Sequence, residues 1–455
     1  MSIPIPAVLL SFLTAASLSV TAAEPATVSV ALHHAAAATN RLVITPALLA
    51  GLEAELRTNH PALRAADARA QAARLDAAGT RRWADPTVRL GGSVFDERNM
   101  FSREEGNLAY GVEQKLPLLG KEQAARAQAN AVAIVAAARA TTRFELLRRD
   151  LTKAVFAAAL AEETVQLGVE DLTWLETTVA TTEARYRSGT SSQFELLRVQ
   201  NERAKRATLL VNDERRRDAA RALVNHSLGR EPLTPQPAFT LPSVADDVRF
   251  TPSLVALAMR NAPDLRVLER ERAVAAAAVE VTRRSQRPDV ALGVEGRQFA
   301  GDGGFRSGAL TVSLSLPWLN QANYRRDLAR DRERLHAAEE DQIDSTISLS
   351  NEVHHLTVEA EAARREALLY RDDVLPRSEH ALAAAHAGWS GGRGLMNDVL
   401  EARRMLVEAK LMLARATAEQ GSLLSDLAYV CGVPDAATLN TVSAALPSEA
   451  QPHIH

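Results

Sequence analysis

Apolar residues recur along this chain with two periods, and each period occupies its own stretches. From Leu147 the positions Leu151, Ala154, Ala158, Ala161, Val165, Gly168, Leu172, Leu175, Val179, Thr182 and Tyr186 step by four and three without a break. That is a heptad seam, with Ala and Gly allowing close helix approach. A second seam runs Leu349, Val353, Leu356, Ala360, Ala363, Ala367, Tyr370, Val374, and Pro376 then shifts or kinks it. A third runs Val399, Ala402, Leu406, Ala409, Leu413, Ala416, Leu423, Leu427, Val430, with Gln420 as its polar member. A helix from Leu118 to Arg185 would be about 100 Å long at 1.5 Å per residue, too long for a compact globular domain.

The other period is two. In Thr87 to Val94 the even positions are apolar or Gly and the odd ones mostly polar, and Leu108, Tyr110, Val112 and Leu116 alternate with Ala109, Gly111, Glu113 and Lys115. Val290, Leu292 and Val294, then Leu310, Val312, Leu314 and Leu316, repeat the pattern. Alternation places one face in an apolar medium and the other in a polar one. Strands are expected near 87–95, 107–116, 289–299 and 308–316, each of about 9 to 11 residues, the length of a tilted membrane-crossing strand. Two ordinary soluble hairpins would also satisfy the alternation; the length of the helices favours the membrane reading.

The two sets belong to an internal repeat. Asn59-His60-Pro61-Ala62-Leu63-Arg64 returns as Asn261-Ala262-Pro263-Asp264-Leu265-Arg266, and Thr80-Arg81-Arg82 as Thr282-Arg283-Arg284. Leu116-Pro117 with Leu119 returns as Leu316-Pro317 with Leu319, Tyr186 and Gly189 as Trp389 and Gly392, and Gly229 as Gly432. The offsets are 202, 200 and 203, so the copies span 59–231 and 259–434 with few inserted residues. Each copy orders a helix (roughly 60–82 and 262–286), two strands, a long helix, a Gly-containing tip turn (near 186–192 and 389–394) and a returning helix. A Pro-rich linker of little regular structure, 232–258, joins them. The segment 24–58 precedes the first copy and a tail, 435–455, follows the second. The predicted fold is mainly α with a small transmembrane β portion.

Composition narrows the class. The 455 residues carry a net charge of −3, which gives no nucleic-acid footprint. The single cysteine, Cys431, permits no intrachain disulfide and no thiolate metal cluster. An apolar run from Ala7 to Val20, followed by Ala22 and Ala23, reads as a secretory signal of residues 1–23. Beyond it no stretch of roughly 18 apolar residues occurs, so no transmembrane helix is expected.

Export, four strands, two repeats and helical hairpins of this length together resemble the TolC-like outer-membrane efflux proteins over the whole mature chain. The local matches are Tyr186-Arg187-Ser188-Gly189-Thr190-Ser191, Trp389-Ser390-Gly391-Gly392-Arg393 and the strand-to-helix passage Leu116 to Lys121. The resemblance implies a homotrimer whose twelve strands form one outer-membrane barrel, continued by a helical tunnel in the periplasm of a Gram-negative cell. It implies an exit duct working with a periplasmic membrane-fusion adaptor and an inner-membrane pump of the RND type, without cofactor or metal. Adaptor hairpins would dock at Tyr186, Gly189, Thr190, Trp389, Gly392 and Arg393. By the same resemblance Asp398 and Glu401 would constrict the channel. Their spacing of three puts both carboxylates on one helix face, with Arg403 and Arg404 near enough to offset their repulsion. Glu195 and Arg198 occupy the aligned positions of the first copy. A solvated helix start, where acids suit the dipole, is the plainer account of the same two residues.

Other readings find less support. Gly388-Trp389-Ser390-Gly391-Gly392 fits the G-x-S-x-G pattern of a hydrolase, but such an elbow needs a strand before the serine. The preceding stretch is helical in pattern, and the aligned residue is Arg187. His354, His355 and Glu359 have metal-ligand spacing on a helix, as solvated faces often do. The chain is not expected to be an enzyme. A soluble periplasmic coiled-coil adaptor is the rival, although its hairpin would not be duplicated.

Overall fold

The computed structural model describes residues 41–93, 107–299 and 303–439. The expected signal segment, the distal parts of the hairpin loops and the last residues of the tail lie outside them. The N-terminal segment and repeat one contain, in order, β1 (Arg41–Val43), α1 (Pro46–Asn59), α2 (Pro61–Gly79), β2 (Thr87–Ser93), β3 (Asn107–Leu116), α3 (Lys121–Arg187) and α4 (Gln193–Ser227). The linker and repeat two contain, in order, β4 (Ala238–Thr240), α5 (Pro252–Asn261), α6 (Pro263–Ser285), β5 (Val290–Phe299) and β6 (Phe305–Leu314). A 3-10 turn at Pro317–Asn320 leads into α7 (Gln321–Leu369), followed by α8 (Leu375–Ser390) and α9 (Met396–Val430).

At 67 residues, α3 is about 100 Å long. The seam read from the sequence faces inward: Leu147, Leu151, Ala154, Ala158, Val165, Gly168, Leu175 and Thr182 are buried. In repeat two Leu349, Val353, Leu356, Ala360, Ala363 and Ala367 are buried along α7. Pro376 cannot donate to the i−4 carbonyl and its ring crowds that turn. The helix absorbs this as one π turn, Tyr370–Val374, and continues into α8.

The Pro-rich stretch and the N-terminal segment are more ordered than their composition indicates. Thr45 and Thr251 each cap a helix that begins with Pro, their hydroxyls accepting from Leu48 N and Leu254 N at 3.2 Å. β1 and β4 pair in parallel, Arg41 opposite Ala238. Two core clusters hold these additions in place. Leu56, Leu151, Val155, Val224 and Leu228 pack in repeat one, and Leu254, Val353, Leu427 and Leu439 in repeat two. A third cluster lies at the helix tips.

All four long strands form one antiparallel sheet in the order β2-β3-β5-β6. The repeats therefore meet at β3 and β5, and the outer edges of β2 and β6 have no strand partner among the described residues.

Candidate functional site: a two-faced sheet and a pair of helix tips

Residues directly opposite across a β ladder share a face. Val88 lies opposite Val112 and Leu90 opposite Tyr110. Val112 in turn faces Val294, and Val294 faces Leu310. One face of the sheet is thus largely apolar, with Gln114 and Gln298 as its polar members, and it is uncovered: Leu90 is 77% exposed and Leu310 76%. The opposite face carries the ion pairs Arg89–Glu113 and Arg297–Glu295, with Thr311 and Ser313. A contiguous exposed apolar face backed by a charged one is not a soluble surface. It is what a strand needs with lipid on one side and water on the other. Among the described residues no helix is long and apolar enough to cross a membrane, so the sheet is the element suited to do it.

The helix tips are built by the same hydrogen bonds twice. Gly189 N donates to Tyr186 O at 3.0 Å and Thr190 N to Arg185 O at 2.8 Å; Gly392 N donates to Trp389 O at 3.1 Å and Arg393 N to Gly388 O at 3.0 Å. Both glycines take positive φ, 75° and 71°, where a side chain would be strained. The aromatic before each glycine differs. Tyr186 is 43% exposed, whereas Trp389 is only 5% exposed, packed with Leu175, Val199, Met396 and Val399 under the Arg185 guanidinium, 4.5 Å away. Trp389 thus anchors the second tip from inside, while Gly189, Thr190, Gly392 and Arg393 lie on the surface.

Beyond each turn an acid closes the next helix. Glu195 Oε2 accepts from Ser192 N at 3.2 Å, and Asp398 Oδ2 from Leu395 N at 3.4 Å. Asp398 and Glu401 are both exposed. Glu401 lies 3.5 Å from Arg404 Nη1, and Arg404 Nη2 reaches Glu202 at 2.5 Å. Arg403 points elsewhere than expected. Its Nε lies 2.9 Å from Asp171 on α3, and its guanidinium covers Trp174 at 5.1 Å. Arg206 of α4 approaches the same Asp171 at 3.6 Å. This cross-hairpin cluster has no local sequence signal, because Arg403 and Asp171 stand 232 residues apart.

Ser390 ends a helix and its hydroxyl donates to Ala387 O at 3.1 Å, so it is not presented on a strand-to-helix elbow. His354 packs edge-on against Phe250, with ring centroids 4.7 Å apart. Among the described residues no three of His, Cys, Asp and Glu gather as a metal site.

A sheet for a bilayer joined to helical hairpins of about 100 Å defines an outer-membrane duct. The outer membrane efflux protein signature matches residues 52–230 and 254–432, one match per repeat, and the chain belongs to that family. Solved structures share the fold. VceC, an outer membrane protein of Vibrio cholerae, is 20% identical with a TM-score of 0.71, covering 85% of this chain and 96% of VceC. The CmeC outer membrane channel of Campylobacter jejuni is 12% identical with a TM-score of 0.73, over 87% and 89% of the two chains. The open MtrE outer membrane channel of Neisseria gonorrhoeae is 18% identical with a TM-score of 0.68, over 85% and 89%. No curated protein matches the sequence.

Proposed function

We propose that three copies of this chain close a twelve-stranded barrel in the outer membrane. Through it they pass substrate delivered by a periplasmic adaptor and an inner-membrane pump of the RND type. The observation that carries this reading is the four-stranded sheet, largely apolar on one face, charged on the other, and without a strand partner at either edge among the described residues. Open edges cannot face lipid, and four strands cannot close a barrel, since the small bacterial barrels need about eight. Copies must therefore complete one another. The charged face then lines the lumen, and the helical hairpins extend it into the periplasm.

At the far end the exposed tip positions Tyr186, Gly189, Thr190, Gly392 and Arg393 receive the adaptor, with Trp389 holding the second turn in shape. Asp398 and Glu401 form acidic rings under threefold symmetry and favour cations at the narrowest point. Fractionation tests the reading. The protein is expected in the outer membrane, extracted by detergent, as a trimer whose gel mobility changes on heating. Recovery as a soluble periplasmic monomer would mark a coiled-coil adaptor instead.

A further inference from the structure

Segments far apart in the sequence close around one cavity of about 210 Å³. Leu49 and Glu53, one turn apart on α1, both line it. Phe156 of α3 lines it too, seated directly on α9, because a side chain at Gly421 would collide with the phenylalanine ring. Leu424 and Ala428 of α9 continue the apolar wall. The buried Gln420 holds the linker against α9, accepting from Ala245 N at 3.1 Å and donating to Ala245 O at 3.0 Å. Residues 434–437, just past α9, complete the lining.

The polar groups of this wall are unevenly supplied with partners. Arg148 is buried, and its Nη2 is engaged by Glu145 at 2.5 Å and by Val433 O at 2.8 Å. Asp435 accepts from Thr438 N at 2.8 Å. Glu53 is half-buried, yet no hydrogen bond or ion pair reaches it among the described residues. Burial holds its carboxyl above the ordinary carboxylate range; the Arg148 guanidinium opposes this, and Glu145 and Asp435 reinforce it. The fold does not call for an acid at this position. α1 and α5 end alike at Asn59 and Asn261, and the same offset of 202 carries Glu53 to Val255, which packs against the core of repeat two. An unpaired carboxylate beside an apolar cavity is costly. What it lacks is a donor, and a charged donor serves it best.

We propose that this cavity binds a small hydrophobic amine, whose ammonium donates to Glu53 and whose apolar body lies against Leu49, Phe156 and Leu424. The size agrees. An apolar cavity of about 150 Å³ accepts benzene, so 210 Å³ admits a ring with a short chain. The charge agrees as well, since Glu53, Glu145 and Asp435 outnumber Arg148 and Arg149 in the wall and disfavour an anion. The lining comes from both repeats, so a bound amine ties α1 and α3 to α9 and stabilises their docking. Each chain builds the site from its own residues, and the inference therefore stands apart from the trimeric duct proposed above.

Titration of the full chain in amphipol with phenethylamine tests it, followed by calorimetry and by the thermal midpoint in circular dichroism. Phenethylamine is expected to bind and to raise the midpoint. Phenethyl alcohol, of the same shape without the charge, should bind at least about tenfold more weakly, and phenylacetate should not bind. Glu53→Gln removes no contact of the folded chain; it should weaken the amine at least about tenfold while leaving the alcohol unchanged. Leu49→Trp fills the cavity and should abolish binding of both with helix content retained. Equal binding of the amine by wild type and Glu53→Gln, equal binding of amine and acid, or binding that survives Leu49→Trp overturns the site. A wild-type chain that binds no amine overturns it too.

Discussion

Arg403 and Asp171 form an ion pair at 2.9 Å, each side chain 14% exposed, which fastens the helix after the second tip to the long helix of the first repeat. Removing one member of a shielded pair leaves the other charge with poor compensation. Here Arg206 at 3.6 Å offers only a weaker substitute. Arg403→Ala is expected to destabilise the tip region by about 2 kcal/mol. It should also expose the tips to limited proteolysis before the global thermal transition moves. An unchanged cleavage pattern would show that the two hairpins are held by packing alone.

Asp398 and Glu401 should separate under mutation, because only one of them has a structural duty. Asp398 closes a helix start through Leu395 N, so Asp398→Ala loses about 1 kcal/mol of capping along with any ring charge. Glu401 is 60% exposed, and among the described residues its ion-pair partner is Arg404 at 3.5 Å, so Glu401→Gln should leave stability unchanged. In planar bilayers Glu401→Gln should lower cation preference, and the double Ala variant should also raise conductance. If reversal potential and conductance both stay at wild-type values, these carboxylates do not form the constriction.

Acid stability should depend on Asp331. Hydrogen bonds from Arg330 and from Thr282, the latter at 2.6 Å, hold its carboxyl at about 2, below the ordinary 3.8. Between these values the unfolded chain binds the proton and the folded chain does not, so stability rises with pH across that window. The contribution is complete above the ordinary carboxylate range and disappears as pH falls through about 2. The stability difference between wild type and Asp331→Asn should therefore be constant near neutrality and shrink below pH 4, as followed by circular dichroism. A difference that does not vary with pH would assign Asp331 to packing.

The long elements were legible because their signals are local and repeated. The four-three stepping from Leu147 to Thr182 and the alternation from Leu310 to Leu316 each declare one buried or lipid-facing side. The tip turns were legible because Gly189 and Gly392 must take positive φ. The hidden features depend on distant partners. Nothing near Trp389 tells that it turns inward while Tyr186 turns outward; Arg185 and Val199 of the other hairpin decide it. Arg403 reads as a neighbour of Glu401 until Asp171 is brought to it by the coiled coil. The helices α1 and α5 were readable in principle. Thr45-Pro46 and Thr251-Pro252 are cap-and-proline starts, masked by the surrounding prolines and by the shortness of the helices they begin.

The tryptophans divide by environment, and this gives the membrane reading its own test. Trp83, just before β2, and Trp318, just after β6, are each 54% exposed, with Leu118 and Leu319 exposed at neighbouring strand-to-helix passages. In water such a band is unfavourable, but at a bilayer boundary the indole ring has an apolar body in the acyl region and its N–H among headgroups. Trp174 and Trp389 lie in the tip cluster at the far end of the hairpins. In vesicles of brominated phosphatidylcholine the emission of Trp83 and Trp318 should be quenched, and that of Trp174 and Trp389 should not. The W83F/W318F variant should accordingly lose most of the quenchable signal while keeping the rest. Quenching that survives in that variant would place the tips, rather than the sheet, against the bilayer.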